Sequence, residues 1–205
     1  MIPYSKQSIN SSDIKAVSKV LKSKLITQGP NIITFEKKVA KFVKCKFATS
    51  VNSATSGLHI ACLSLGIKSG DYLWTVPNTY VSSANCGRFC GANIDFVDID
   101  PSTLNICIKK LEKKLVLSKR KKLLPKAIVV VHFAGNPVNM LEIKKLSQKY
   151  KFKVIEDASH AIGAKIKNSY IGSCKYSDIT VFSFHPVKII TTGEGGMVLT
   201  NSKKI

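Results

Sequence analysis

The sequence predicts an α/β fold: a mostly parallel, seven-stranded sheet with helices on both faces. Three observations carry this. Short apolar runs alternate with amphipathic stretches along almost the whole chain, the pattern of strand–crossover–strand units closing with right-handed connections. One run, residues 127–133, is apolar but for His132, as expected of a strand buried on both faces of a parallel sheet. Of the 205 residues, 44% are hydrophobic, enough for the core of one domain and too many for disorder.

In chain order, residues 11–24 read as an amphipathic helix with Ser11 or Ser12 as its cap and Ile14, Val17, Val20 and Leu21 as its apolar stripe. The stretch Thr27-Gln28-Gly29-Pro30-Asn31 breaks it, and Ile32, Phe35, Val39, Phe42 and Val43 mark a second helix. Residues 47–51 form a short strand. It runs into Asn52-Ser53-Ala54-Thr55-Ser56-Gly57, which opens a helix reaching Gly66. A strand at 72–76 ends at Pro77-Asn78-Thr79-Tyr80, followed by a helix that closes at Gly91. Then come a strand at 94–97, an amphipathic helix at 108–117, the apolar strand at 127–133, a loop at 134–137 and a helix at 141–150. A strand at 153–157 presents Glu156 and Asp157 at its carboxyl end. The last strands are 179–184 and 196–200, joined by a polar turn carrying Lys188 and a glycine-rich hairpin.

The net charge is +20, which admits a nucleic acid, an anionic small substrate or merely a lysine-heavy composition. The lysines are scattered at helix-surface spacing. The tightest run, Lys119-Arg120-Lys121-Lys122, has no interleaved aromatics and reads as a solvated loop, so no nucleic-acid partner is expected. The six cysteines form no C-x-x-C pair and complete no metal site. They read as buried thiols of a reducing compartment. With no apolar leader and no apolar run of membrane-spanning length, a cytoplasmic protein without a membrane partner is expected.

In an open α/β sheet, ligands sit beyond the carboxyl ends of the strands. Residues 53–56, Thr79-Tyr80, Asp157 and Lys188 all fall there. Free amides at a helix start attract anions, so Ala54, Thr55 and Ser56 could cup a phosphate. Tyr80 could stack on an aromatic ring, Asp157 could keep a ring nitrogen protonated, and Lys188 could form a Schiff base with an aldehyde. Together these are the requirements of pyridoxal phosphate. Each residue taken alone has an ordinary alternative: Asp157 as a turn cap, Tyr80 as a rim aromatic, Ser183 as a partner for backbone, His160 as a core histidine, His185 as a loop-shaper.

The segment Phe182-Ser183-Phe184-His185-Pro186-Val187-Lys188 with Thr191-Thr192-Gly193-Glu194-Gly195-Gly196 resembles the lysine motif of the DegT/DnrJ/EryC1/StrS sugar aminotransferases, which are fold-type I enzymes. Glu156-Asp157-Ala158-Ser159-His160-Ala161 resembles their aspartate motif, residues 52–58 their phosphate turn, and Tyr4-Ser5 with residues 25–29 their N-terminal entry. The resemblance implies Lys188 as covalent anchor and proton shuttle and Asp157 as partner of the ring nitrogen. It also implies Ala54, Thr55 and Ser183 at the phosphate, Tyr80 on the ring and His160 near the 3′-oxygen. Within the family the motifs are most similar to the aminotransferases of pseudaminic acid biosynthesis. That similarity implies glutamate as donor and C4 of a UDP-linked 4-keto-6-deoxy-N-acetylhexosamine as acceptor. Another nucleotide 4-keto sugar, of perosamine or bacillosamine type, stays open, as does a non-catalytic fragment. A sugar dehydratase of this family would carry histidine at the position of Lys188. Family chains are longer homodimers, so residues 1–205 are expected to be an incomplete large domain that lacks the small C-terminal domain.

Overall fold

A computed structural model describes residues 2–3 and 5–205. Tyr4 of the N-terminal entry motif lies outside the described residues. The chain runs through α1 (Ser11–Leu21), α2 (Pro30–Val43), β1 (Phe47–Val51), α3 (Ala54–Ser64), β2 (Tyr72–Thr75), α4 (Ser82–Phe89) and β3 (Asn93–Phe96). It continues through α5 (Ile108–Arg120), β4 (Ala127–Val131), a 3-10 turn (Phe133–Gly135), α6 (Met140–Tyr150) and β5 (Lys153–Asp157). A two-residue hairpin of β6 (Lys165–Ile166) and β7 (Ser169–Tyr170) follows, then β8 (Ile179–Ser183) and β9 (Gly196–Thr200).

Seven strands form one sheet in the order β1-β9-β8-β5-β4-β2-β3. Only β9 runs against the rest, pairing antiparallel with both β1 and β8. The register sets Val51 opposite Gly196, Gly196 opposite Ser183, and Val181 opposite Asp157. The ends of β1, β8 and β5 therefore lie side by side.

Alternation along each strand sorts the core. In β4, Ala127 and Val129 face α3 and α4, packing with Leu58, Ala61 and Cys86. Ile128 and Val130 face α5 and α6, packing with Leu111, Leu115 and Ile143. A third cluster joins Val39 and Val43 of α2 to Phe182, Met197 and Leu199. The same parity in β5 sends Asp157 toward the α3/α4 face with Ile155, and Glu156 to the opposite face with Val154.

Several expectations change. The cap of α1 is Asn10, whose Oδ1 accepts from the amides of Ser12 and Asp13, rather than Ser11 or Ser12. No residue of α1 is buried, and its stripe residues Ile14, Val17 and Leu21 lie in solvent. The helix stops at Leu21, short of residue 24. The strand expected to reach Phe133 ends at Val131, because Ala134 takes a left-handed conformation with φ 50° and turns the chain. The basic run expected as a loop begins inside α5, where Lys119 and Arg120 occupy the last turn. There the two cations complement the helix dipole. The β6–β7 hairpin has no counterpart in the sequence reading. All six cysteines are free thiols. Among the described residues no helix is long and apolar enough to cross a membrane.

Candidate active site

The carboxyl edge of the sheet gathers four chain segments. The first is the start of α3. Ser53 caps that helix by accepting from the Ser56 amide at 3.2 Å. The amides of Ala54 and Thr55 meet no acceptor among the described residues. Two free N–H groups at the positive end of a helix make a binding place for an anion. Gly196 presses directly beneath: a Cβ there would meet the Ala54 nitrogen at 2.8 Å and the Phe182 carbonyl oxygen at 2.9 Å. Glycine at this position is what lets the amides of α3 descend onto the sheet.

The second segment is the end of β5. Asp157 is buried, 6% exposed. Its Oδ1 accepts from the Ser159 hydroxyl at 2.6 Å and the Ser159 amide at 3.2 Å, and its Oδ2 from the Ser83 hydroxyl at 2.6 Å. His160 follows, half-buried. Burial and the neighbouring Lys188 charge lower its pKa, opposed by the Asp157 carboxylate. The Gly135 backbone abuts the His160 carbonyl so closely that a Cβ would lie 2.5 Å from it.

The third segment is the loop between β8 and β9. Phe184 donates its amide to the Gly195 carbonyl at 2.9 Å, closing the base of the loop. Lys188 Nζ lies 2.5 Å from His160 Nε2. As an ammonium the lysine can only donate there, an arrangement that places the His160 proton on Nδ1. Burial lowers the Lys188 pKa, with the Asp157 charge opposing. Two effects that make a lysine a usable nucleophile therefore act on Nζ: burial and a neighbouring base. Ser183, 7% exposed, shares the Asp157 face of the sheet, and its Oγ accepts from the His185 amide at 3.4 Å. His185 itself lies at the surface, 3.7 Å from Glu194.

The fourth segment is the turn before α4. Tyr80 is at the same edge but 75% exposed, and the structure does not pack its ring against Asp157 or Lys188. Sequence reasoning missed Ser82 and Ser83, which reach Thr55 and Asp157 from α4. It also grouped Glu156 with Asp157. Glu156 instead faces away into a closed buried network of His132, Ser177 and Thr180. His132 Nδ1 accepts from the Val138 amide at 3.1 Å, so its proton is on Nε2, donated to Glu156 at 2.8 Å. Only strand parity could have separated the two carboxylates in advance.

The family profile described as "DegT/DnrJ/EryC1/StrS aminotransferase family" matches residues 7–205. A "UDP-4-amino-4,6-dideoxy-N-acetyl-beta-L-altrosamine transaminase" of Campylobacter jejuni is 44% identical over 205 residues, 100% of this chain and 53% of that protein. Helicobacter pylori PseC, an aminotransferase involved in the biosynthesis of pseudoaminic acid, is 35% identical with a TM-score of 0.89, over 98% of this chain and 53% of its own. Bacillus subtilis NtdA with bound cofactor PMP, the aminated form of pyridoxal phosphate, is 28% identical with a TM-score of 0.81, over 96% of this chain and 43% of its own. The chain spans about half the length of the relatives it matches.

Proposed function

The chain belongs to the DegT/DnrJ/EryC1/StrS aminotransferase family, and on that premise we propose that residues 1–205 are part of the cofactor-binding large domain of a pyridoxal-phosphate-dependent nucleotide-sugar aminotransferase. The observation that carries this is the convergence of Lys188 on His160, beside a buried and triply hydrogen-bonded Asp157. The residues fit the group in three respects. The free Ala54 and Thr55 amides suit a phosphate, the oriented Asp157 carboxylate suits a protonated ring nitrogen, and the half-buried Lys188 amine suits an aldehyde carbon. When bound, pyridoxal phosphate supplies an electron sink that lets an amino group pass between two carbon skeletons.

The chain's own residues supply the rest. Ala54, Thr55 and Ser183 hold the phosphate end, with Gly196 leaving room for the helix amides. Asp157 would keep a proton at the ring nitrogen, and Ser159 donates to its Oδ1. Lys188 Nζ would be the covalent anchor and the general base and acid that holds and moves the proton. His160 accepts from Nζ and holds the amine in place, while burial favours its neutral form. Tyr80, 75% exposed at the same edge, would be the aromatic to stack on the ring. For the acceptor we propose C4 of a UDP-linked 4-keto-6-deoxy-N-acetylhexosamine, with glutamate as donor and a homodimer as the working assembly. The 44% identity to the altrosamine transaminase supports this choice.

The test is borohydride trapping. Pyridoxal phosphate is added to the chain, the mixture is reduced and the peptides are mapped by mass. The expected result is one dominant label, on Lys188, absent from Lys188→Ala. Label spread evenly over surface lysines and unchanged in Lys188→Ala would refute the assignment.

A further inference from the structure

Ser83 is a polar side chain with no exposed surface, placed on α4 in the layer that covers the sheet. Burying a hydroxyl is unfavourable unless it is hydrogen-bonded. Its single proton goes to Asp157 Oδ2 at 2.6 Å. The second contact of its oxygen, 2.8 Å from Thr79 Oγ1, must then be one in which Thr79 donates. The result is a directed chain, Thr79 to Ser83 to Asp157, that ends on a carboxylate. Ser82, the preceding residue, meets Thr55 Oγ1 at 2.7 Å. Consecutive residues of one helix thus reach the anion cup and the ring-facing carboxylate.

We propose that Ser83 is a positioning residue, acting through Asp157 to fix the carboxylate's rotation and hold it ready for a cationic ring nitrogen. Ser159 anchors only Oδ1, from within the same loop. Ser83 is the restraint from a separate element, so without it the carboxylate can rotate with its own loop. The proposal rests on the seating of pyridoxal phosphate against Asp157 described above.

The experiment compares two probes on the 205-residue chain, pyridoxal phosphate and its 1-deaza analogue, which has carbon in place of the ring nitrogen. Dissociation constants are measured by calorimetry for the native chain, Ser83→Ala and Ser83→Cys, each checked for folding by near-UV circular dichroism. The native chain is expected to prefer pyridoxal phosphate by about tenfold or more, the size of one charge-assisted hydrogen bond. In Ser83→Ala the preference is expected to fall below about threefold, with affinity for the deaza analogue nearly unchanged. Ser83→Cys, a weaker donor of similar size, should fall between. A merely structural role for Ser83 would weaken both probes equally and leave their ratio intact, and that result overturns the proposal. A native chain that does not discriminate between the probes refutes the pairing of Asp157 with the ring nitrogen, and the role of Ser83 falls with it.

Discussion

Replacing Glu156 by alanine removes the acceptor for three buried donors: His132 Nε2–H at 2.8 Å, the Thr180 hydroxyl at 2.9 Å and the Ser177 hydroxyl. The hydroxyls have fallbacks, since Ser177 and Thr180 lie 3.4 Å apart and Thr180 also meets Cys174 at 3.3 Å. The imidazole has none, because its other nitrogen is held by the Val138 amide. One stranded buried donor costs about 1–3 kcal/mol, and the deleted carboxyl group leaves a void besides, so the expected loss is about 3 kcal/mol. In urea, with a slope of roughly 2 kcal/mol per M, the midpoint moves down by about 1.5 M. Glu156→Gln is milder. Its carbonyl can take the imidazole proton while its amide faces hydroxyls that can turn to accept, so about 1 kcal/mol is expected. The pH dependence separates charge from shape. Burial acts to raise the Glu156 pKa, but the bonds from His132, Ser177 and Thr180 outweigh it and hold the carboxyl below its ordinary 4.5. A carboxyl depressed on folding adds stability above its unfolded pKa and loses it as the pH falls through the folded value. The gap between the native chain and Glu156→Gln should therefore be full at pH 7 and shrink below about pH 4.5. A Glu156→Ala chain within about 1 kcal/mol of native, or a gap to Gln that does not close in acid, would refute the account of this network.

Gly196→Ala places a methyl against the backbone of Ser53, Ala54 and Phe182, none of which can turn aside. Urea unfolding should show a loss of about 1–3 kcal/mol, and pyridoxal phosphate affinity should fall with it. Gly135→Ala combines a φ of +83° with a clash on the His160 carbonyl. It should destabilise the chain by about 2 kcal/mol or more and weaken the Lys188–His160 contact, read as slower trapping at Lys188. Burial lowers the Lys188 pKa below 10.5, so its neutral fraction is larger than that of a surface lysine at any lower pH. Acylation at mild pH, followed by peptide mapping, should label Lys188 ahead of exposed lysines, and added pyridoxal phosphate should protect it.

What the sequence made legible is what local pattern controls. The apolar run at 127–133 reads as a strand covered on both faces, and residues 127–131 form one. Asp157 and Lys188 stood out because each ends a strand or follows one closely, and strand ends meet at one edge. Contacts set by register stayed hidden. His132 and Glu156 are 24 positions apart and meet because β4 and β5 pair in parallel with Val131 opposite Asp157. Ser83 carried no signal, since a serine early in a short helix reads as surface or cap. Two-residue strands such as β6 and β7 are too short to show a period. The stripe of α1 was read correctly as amphipathic, yet amphipathicity states that a face wants cover and not what covers it.

The position of β9 has a consequence for the order of folding. In the sheet β1 has one neighbour, and that neighbour is β9, with Phe47 opposite Thr200. The strand made first therefore waits, unpaired, for one whose Thr200 lies 153 positions after Phe47. Contacts of such long range form slowly, because the loop they close must be ordered first. Ala54, Thr55, Asp157, His160 and Lys188 all precede Gly196, so a nascent chain halted before that glycine carries these side chains without the strand against which the α3 amides are set. A ligand that binds only the finished edge then stabilises the closed sheet by mass action, and its uptake reports that closing.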